Sequence, residues 1–347
     1  MKKYLFVLPL LVFIGISGLW ATGDGQKKTG KVVIGFQPGA SSTLPMLAAE
    51  EGYFALAGVD TEFIPFSSTS DGLAALEVGK LDVGVSFGTS APLTLVTNGA
   101  PLVIIAGNAT GSHPIFTKPE NAALYKDVSG FKGKIVGTPR LFTPDVVFRG
   151  ALYDAGLEPG RDLEVIEFKR PVDVLEAVKS GKVDVGVGST AITVQIRDAG
   201  LAVPLYTTDL FPHHPCCRVV TTETALKNKR PALVAFIKAL LLAEKKFNED
   251  PEAGVQANVH QQNFTEQNAR DITFAPHVEL AIDPNTKAIV GMFERMKAIN
   301  YLDPETKVDP YAVIDTSLYQ EALERVKKEA PSPYWDTLSA RFVDQNT

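Results

Sequence analysis

The chain has 347 residues, 45% hydrophobic and 21% charged, which is the composition of an ordinary globular protein and not of a disordered or repetitive one. Its 40 acidic and 34 basic residues give a formal net charge of −6. A mildly acidic chain is a poor candidate for binding nucleic acid, and the length allows two domains.

The first 23 residues have the pattern of a secretory signal peptide. Two lysines precede an uncharged, mainly apolar run at residues 4–19, and small residues follow at 21–23. The run is short for a membrane anchor and is interrupted by Pro9 and Gly15. No cysteine follows it, so lipid attachment is not indicated. We therefore expect cleavage after residue 23 and a location in a bacterial periplasm, with a net charge of −8 once the two lysines are removed.

Beyond this segment, strand-like and helix-like stretches alternate, as in α/β folds with a mainly parallel sheet. Helices are predicted to begin at Ser42 or Thr43, at Asp71 and within residues 88–92, where hydroxyl or acidic side chains can cap them. The strands predicted in this first part lie at 32–36, 61–66, 81–87, 101–107 and 113–118.

The same order of segments begins again near residue 131. Helices are predicted to begin at Thr143, Asp173 and Ser189, and the strands lie at 134–138, 163–168, 183–188, 201–208 and 218–222. The remainder of the chain is mostly helical by its apolar spacing. The helices predicted there lie at 231–248, 266–274, 284–299 and 315–329.

A shift of 102 residues relates the two parts of the chain. The sequence LDVGVSF at 81–87 resembles VDVGVG at 183–188, and residues 63–80 align without a gap with 165–182. This period is far too long for a solenoid repeat and indicates two lobes of similar build. Ligands of open α/β sheets bind beyond the carboxyl ends of the strands, so facing lobes would form a cleft lined by their strand-to-helix turns.

Four of these turns, at 37–43, 87–90, 138–143 and 188–190, are rich in Ser and Thr and begin a helix. Helix N-termini offer free N–H groups and partial positive charge, so converging turns would hold a small oxyanion or polar group. The alternative is ordinary helix capping. Arg140 could add a forked donor or could be a surface residue. Phe87 and Phe142 could wall the site.

The stretch HHPCC at residues 213–217 is unusual for an exported protein. Two thiols rarely stay unused in an oxidising compartment, yet adjacent cysteines bridge only through a strained ring. Three interpretations stay open: a vicinal disulfide between Cys216 and Cys217, two buried thiols acting as small hydrophobic groups, or a soft-metal site. Because neighbouring side chains of an extended segment point in opposite directions, we expect no metal. Candidate ligand contacts here are His213 and His214, with His277 further along the chain.

Signals for catalysis are weak. The chain contains no HExxH, no Walker sequence and no GxGxxG after a strand. Asp82 and Asp184 occupy equivalent positions of the repeat, but they fall at strand starts, away from the expected cleft, so we predict that they are structural. We expect a binding protein without a cofactor and not an enzyme.

Several segments resemble the periplasmic substrate-binding proteins of the nitrate/sulfonate/taurine type, the group that includes the NMT1/THI5-like domain. They are VVIGFQPGASSTLPMLAAEEGYF, LAALEVGKLDVGVSFGTSAP, FKGKIVGTPR, EAVKSGKVDVGV and PALVAFIKALLLA. The resemblance implies a two-lobed type II periplasmic binding protein fold, each lobe a mainly parallel sheet flanked by helices. Lobe I would comprise residues 24–117 and 213–347, and lobe II residues 118–212.

The same resemblance implies a monomer that captures a small solute by hinge closure and delivers it to a membrane ABC permease. The contacts that it implies are Gln37, Ser41, Ser42, Thr43, Gly88, Thr89, Ser90, Arg140, Phe142, Thr143, Ser189 and Thr190.

Three functions stay open at this point. The first is capture of a nitrate- or sulfonate-like oxyanion. Because HHPCC is not a feature of those relatives, a heteroaromatic solute such as a pyrimidine or thiamine precursor is the second. The third is a THI5-like pyrimidine-synthesising enzyme that uses the His/Cys segment, which the export signal opposes.

Overall fold

The structure is a computed structural model that describes residues 29–111 and 113–347. The predicted signal peptide lies outside the described residues. None of the described helices is both long and apolar enough to span a membrane.

The first part of the chain forms one βαβαβ unit followed by a further helix and strand. Its strands are Gly30–Phe36 (β1), Val59–Pro65 (β2), Val83–Gly84 (β3) and Leu102–Thr110 (β4). Its helices are Thr43–Glu50 (α1), Tyr53–Leu56 (α2), Thr69–Glu77 (α3) and Ser90–Thr97 (α4). A short 3-10 turn at Ala40–Ser42 leads into α1.

The second part repeats this unit between two crossing strands. Its strands are Pro114–Thr117 (β5), Ile135–Pro139 (β6), Glu164–Phe168 (β7), Val185–Val187 (β8) and Ala202–Tyr206 (β9). Its helices are Thr143–Asp154 (α5), Pro171–Ser180 (α6), Thr193–Asp198 (α7) and Thr207–Leu210 (α8).

The chain then returns and becomes mainly helical. The strands are Pro215–Thr222 (β10) and Glu279–Leu280 (β11). The helices are Glu223–Glu249 (α9), Pro251–Gln262 (α10), Glu266–Thr273 (α11), Thr286–Ala298 (α12), Ser317–Glu329 (α13) and Tyr334–Asn346 (α14). Helix α9 begins eight residues before the predicted start at 231 and is kinked at Lys229, just before Pro231, whose missing N–H weakens the helical ladder.

Two separate sheets result. The first has the order β11-β4-β10-β3-β1-β2 and the second the order β7-β6-β8-β5-β9. Within each, the three strands of the repeat are parallel, whereas β10 pairs with β3 and β5 pairs with β8 in antiparallel fashion. Both sheets are therefore mixed, not mainly parallel, because the strands by which the chain enters each sheet from the other, β5 and β10, run against the repeat strands.

The sequence repeat is also a structural one. Strand β1 pairs with β3 at Ile34↔Val83, and β6 pairs with β8 at Val136↔Val185, so both partners shift by 102 residues. The carboxylates at the strand starts repeat as well. Asp82 accepts a hydrogen bond from the N–H of Val33, and Asp184 accepts one from Ile135, both at 2.8 Å. Each of these two carboxylates hydrogen-bonds the neighbouring strand, which is consistent with the structural role predicted from the sequence.

Sheet membership bears on where the lobes divide. Strand β5 covers residues 114–117, which the sequence-based division assigned to lobe I, yet it pairs with β8 and β9 in the second sheet. The pairing thus changes sheet between β4 and β5, near residue 112, and again between β9 and β10. We propose these two connections as the lobe boundaries.

Helix α9 supplies much of the core of the first lobe. Leu233, Phe236 and Leu240 are fully buried and belong to the same cluster as strand residues of β1. Burying one such side chain contributes roughly 1.5–3 kcal/mol, so the apolar face of this helix contributes strongly to the stability of the lobe. Near its end, buried Glu244 accepts a 2.6 Å hydrogen bond from Arg341 and so fixes α14 against the lobe.

Candidate ligand-binding cavity between the lobes

A cavity of about 210 Å³ lies between the two sheets. All six strand-to-helix turns of the repeat reach it, because the carboxyl ends of the parallel strands of both lobes point toward it. The first lobe contributes Gln37, Pro38, Gly39, Ser41, Phe66, Ser67, Ser86 and Gly88. The second contributes Phe142, Thr143, Pro144, Arg170, Pro171, Val172, Ser189, Thr190, Ala191 and Ile192. His113, Cys216 and Cys217, next to the connections between the lobes, complete the lining.

The structure brings together about half of the residues proposed from the sequence. Those that line the cavity are Gln37, Ser41, Gly88, Phe142, Thr143, Ser189 and Thr190. Those that do not line it are Ser42, Thr43, Phe87, Thr89, Ser90, Arg140, His213, His214 and His277. The contacts of the residues in the second group explain why they lie outside the cavity.

The N-terminus of α4 is capped by a residue of the other lobe. The buried hydroxyl of Thr143 accepts hydrogen bonds from the N–H groups of Thr89 and Ser90 at 2.9 and 3.2 Å. In turn it donates to the carbonyl of Cys216 at 3.1 Å, and the Thr89 hydroxyl donates to the same carbonyl at 3.1 Å. These two N–H groups, which we expected to bind a ligand, are therefore satisfied within the protein.

Protein groups also occupy the first turn of the chain. The N–H of Gly39 donates to the Gln262 side chain at 2.9 Å, and the N–H of Gln37 donates to Ser86 Oγ at 2.7 Å. Ser42 is fully buried, and its hydroxyl donates to the carbonyl of Gln37.

Two further turn residues act as ordinary caps or internal partners. Buried Thr43 accepts a hydrogen bond from Asn258 at 3.0 Å, and Ser189 caps its own turn by accepting from Ala191 N–H at 3.2 Å. Ser189 and Thr143 are therefore the hydroxyl residues of these turns seen to cap a helix, the alternative recognised from the sequence. The hydroxyl groups of Ser42, Thr43 and Thr89 instead bond to carbonyl or side-chain groups inside the protein.

Phe87 lies in the core and not at the cavity wall. It is fully buried, and three glycines, Gly35, Gly72 and Gly84, make room for its ring. A Cβ atom at Gly72 would lie 2.3 Å from ring carbons of Phe87 and one at Gly84 would lie 2.5 Å away. The aromatic residues that do face the cavity are Phe142, which was expected, and Phe66.

Arg140 belongs to a different recess. Its side chain is 63% exposed and lies 3.8 Å from Glu167, beside Arg149 and Tyr301. Leu141 has a φ of 51°, and this left-handed residue separates Arg140 from Phe142, which faces the cavity.

The cation that does line the cavity is Arg170, in the turn after β7. Its Nε and Nη2 atoms donate to Asp173 at 3.0 and 2.5 Å, so its guanidinium already has a carboxylate partner. Sequence reasoning missed it because we considered only the turns after the first and third strands of each repeat. Applying the same rule to the second strand would have found Ser67 and Arg170, and would have kept Phe66, which we set aside as a core residue.

The histidines of HHPCC point away from the cavity. His213 is 76% exposed and pairs with Glu279 at 3.1 Å, beside the exposed His277. His214 is buried with Nδ1 2.8 Å from the carbonyl of Phe211, and burial lowers its pKa to about 4. The histidine that reaches the cavity is His113, whose pKa burial lowers to about 3, so its ring is neutral.

Both cysteines line the cavity as free thiols, with their sulfur atoms 3.5 Å apart. Nε2 of His113 lies 2.9 Å from Sγ of Cys216. A hydrogen bond from Cys216 lowers the pKa of Cys217, whereas the pKa of Cys216 is raised. Across the part of the chain that the structure describes, no three His, Cys, Asp or Glu side chains are arranged to hold a metal ion.

Ser86 is a cavity residue that sequence reasoning missed. It lies in Gly84-Val85-Ser86-Phe87-Gly88, which matches the GxSxG pattern of hydrolase nucleophiles. Its hydroxyl bonds to the backbone of Gln37 and to Ser42, and no histidine bonds it within the described ranges. This serine therefore holds the turn after β1 and lacks the adjacent base that nucleophilic catalysis needs.

Comparison with solved structures defines the class of this fold. The ligand-binding component of an ABC-type import system from Staphylococcus aureus, solved with zinc bound, has a TM-score of 0.72 at 15% identity, over 84% of this chain and 99% of that one. The nitrate-binding protein NrtA from Synechocystis PCC 6803 has a TM-score of 0.72 at 18% identity, over 86% and 89%. The aliphatic sulphonate-binding protein SsuA from Escherichia coli has 0.64 at 18%, over 82% and 92%. The fold is that of the type II periplasmic binding proteins.

Comparison of the sequence with family models also identifies the family of the chain. It belongs to the NMT1-like family, whose model matches residues 25–259. This confirms the family resemblance expected from the sequence. A search of curated proteins gave no match.

Proposed function

We propose that this protein is the solute-binding component of an ABC import system. The observation that carries the proposal is the cavity between two repeated lobes, lined by the strand-to-helix turns of both. A solute held there contacts both lobes at once only when they are closed, so its binding shifts the open–closed equilibrium toward the closed form. The NMT1-like family and the likeness to binding components of import systems support the same function.

The lining favours a small, uncharged solute with a flat ring over an oxyanion. Phe66, Phe142 and the neutral ring of His113 give it aromatic surfaces. Arg170 is engaged by Asp173, and the N–H groups at the start of α4 are capped, so little positive charge remains for an anion. Of the two solute classes left open by the sequence, these contacts support the heteroaromatic one.

The biological setting completes the proposal. We place the protein in the periplasm, exported by the N-terminal signal, where a monomer presents its closed, loaded form to a membrane permease. A THI5-like enzyme remains the alternative of another class. Such an enzyme would retain iron after native purification and would release a pyrimidine product, whereas a binding protein would release its solute unchanged.

The proposal is tested by native mass spectrometry of protein purified without refolding, followed by calorimetry with the solute identified. We expect one noncovalent small molecule per chain, and recovery of iron with turnover of that molecule would refute the binding function.

Three variants then separate the solute classes. Phe142→Ala should raise the Kd about tenfold for a ring-containing solute, since an aromatic contact with its buried area is worth about 1–2 kcal/mol. Arg170→Gln should change the Kd little for an uncharged solute and by tenfold or more for an anion, at about 1.5–3 kcal/mol per charge-assisted pair. Arg140→Gln, a cation outside the cavity, is the matched control and should leave the Kd unchanged.

A further inference from the structure

Solute binding by the strand-to-helix turns does not explain why β10 has two adjacent thiols, Cys216 and Cys217, at the cavity. Neighbouring residues of a regular strand point to opposite faces, yet Cys216 and Cys217 both line the cavity. The register of β10 against β4 is irregular between Pro215 and Cys217 and again between Cys217 and Arg218. Such a bulge re-aims side chains, and here it brings the two sulfur atoms to 3.5 Å from one another.

The surroundings keep the two sulfur atoms in place. A Cβ atom at Gly111 would lie 2.7 Å from Cβ and 3.0 Å from Sγ of Cys216, so only glycine leaves room for this thiol. Nε2 of His113 contacts the same sulfur at 2.9 Å. Behind Cys217, the buried guanidinium of Arg218 donates to the carbonyls of Ala109 and Cys217 at 3.1 and 2.9 Å.

The environment also favours one thiolate within the pair. The Cys216 thiol, with help from Ser41, the N–H of Gly88 and Arg218, lowers the pKa of Cys217. Thiolate is the form of cysteine that binds soft acceptors. The pair therefore offers two thiols, of which Cys217 ionises more readily, held close together and facing a largely apolar cavity.

We propose that Cys216 and Cys217 form a dithiol site that binds a trivalent arsenic or antimony centre. Such a centre accepts two sulfur ligands and carries its own third substituent, which would lie in the cavity. A soft metal ion with three or four protein ligands fits less well, because the described residues contain no group of three metal-binding side chains in place. The site depends on the two thiols and not on the identity of the transported solute.

The binding step requires no oxidant. With phenylarsine oxide as the probe, two As–S bonds form and the As–O bond breaks. The arsenic oxygen leaves as water with the two thiol protons, and arsenic remains trivalent. Because the chain contains only two cysteines, any thiol adduct belongs to this pair.

The test uses the full chain, reduced and then freed of reductant, titrated with phenylarsine oxide. We expect one adduct per chain in the mass spectrum, displaced by 2,3-dimercaptopropanol but not by an equal concentration of thiol groups from 2-mercaptoethanol. Each of Cys216→Ser and Cys217→Ser should weaken binding about 100-fold or more, since the second bond then loses its intramolecular advantage.

Far-ultraviolet circular dichroism and cooperative urea unfolding like those of the unsubstituted protein show that the serine variants are folded. If either variant folds poorly, the displacement of phenylarsine oxide from the unsubstituted protein by the dithiol but not by the monothiol still tests for a dithiol site. The absence of an adduct, displacement by the monothiol, or an adduct that survives a single substitution would overturn the dithiol site and would leave the proposed solute binding intact.

Discussion

Replacing Thr143 by valine tests whether one hydroxyl group joins the two lobes. This side chain is fully buried and accepts from the N–H groups of Thr89 and Ser90 at 2.9 and 3.2 Å while donating to the Cys216 carbonyl at 3.1 Å. Valine has nearly the same shape, so the substitution removes the hydrogen bonds and leaves the packing in place.

The magnitude follows from the groups left without partners. Each buried N–H that loses its acceptor costs about 1–3 kcal/mol, whereas the Cys216 carbonyl keeps the hydroxyl of Thr89 as a donor. Water from the adjoining cavity can reach one of the two N–H groups and lower its cost. We therefore expect Thr143→Val to decrease the free energy of unfolding by about 3 kcal/mol.

Urea unfolding followed by circular dichroism measures this difference. Thr97→Val is the matched control, because the half-buried Thr97 hydroxyl only donates to the Thr94 carbonyl of its own helix at 2.8 Å. The control should lose about 0.5 kcal/mol or less. A loss below about 1 kcal/mol for Thr143→Val, or one equal to that of the control, would refute the role assigned to this hydroxyl.

Three further outcomes follow from other contacts. Burial raises the pKa of Asp145 to about 6 despite its 2.9 Å contact with Arg149, so its contribution to stability is greatest below pH 4 and is lost as the pH rises through 6. The stability of the wild type relative to Asp145→Asn, from urea unfolding, should therefore fall by about 2 kcal/mol between pH 4 and 7, and an unchanged difference would contradict the burial argument. Lys169→Gln breaks the 3.0 Å ion pair with Asp71 across the lobes and should raise the solute Kd about twofold at low salt but not at 1 M salt. Calorimetry that gave the same ratio of variant to wild-type Kd at both salt concentrations would contradict this role of the pair. Asp184→Ala should lower the free energy of unfolding by about 1–2 kcal/mol with no change in solute Kd, and a weakened Kd would show that this acid is not purely structural.

Local signals were enough to predict most of the fold. The strand pairs and the aspartates at the strand starts recur after 102 residues, so the two lobes could be recognised from the sequence alone. Helices α10 and α14 were missed, the latter although Trp335, Leu338 and Phe342 are buried at helical spacing and the Ser332 hydroxyl bonds the N–H of Tyr334 at its start. The mixed pairing of the sheets also escaped prediction, since strand direction at the crossings depends on the path between lobes.

The site was harder to predict because its caps come from distant parts of the sequence. The acceptor for Thr89 N–H is 54 residues away and the one for Gly39 N–H is 223 residues away. A Ser/Thr-rich turn looks the same whether its N–H groups are free or already bonded. Arg140 lies outside the cavity because the left-handed backbone at Leu141 separates it from Phe142. The prediction that adjacent side chains of β10 point in opposite directions was wrong at Cys216 and Cys217, because the strand bulges there.

The lining of the cavity falls into two parts with different tasks. In the proposed hinge closure, the turns of the two lobes approach one another only in the closed form, so contacts with Phe66 or Ser189 would distinguish that form from the open one. His113 and the two cysteines instead flank the connections between the sheets, where the chain crosses from β4 to β5 and from β9 to β10. A hinge at these connections moves its own residues least. Contacts there hold a ligand equally in both forms, and therefore add affinity without driving closure.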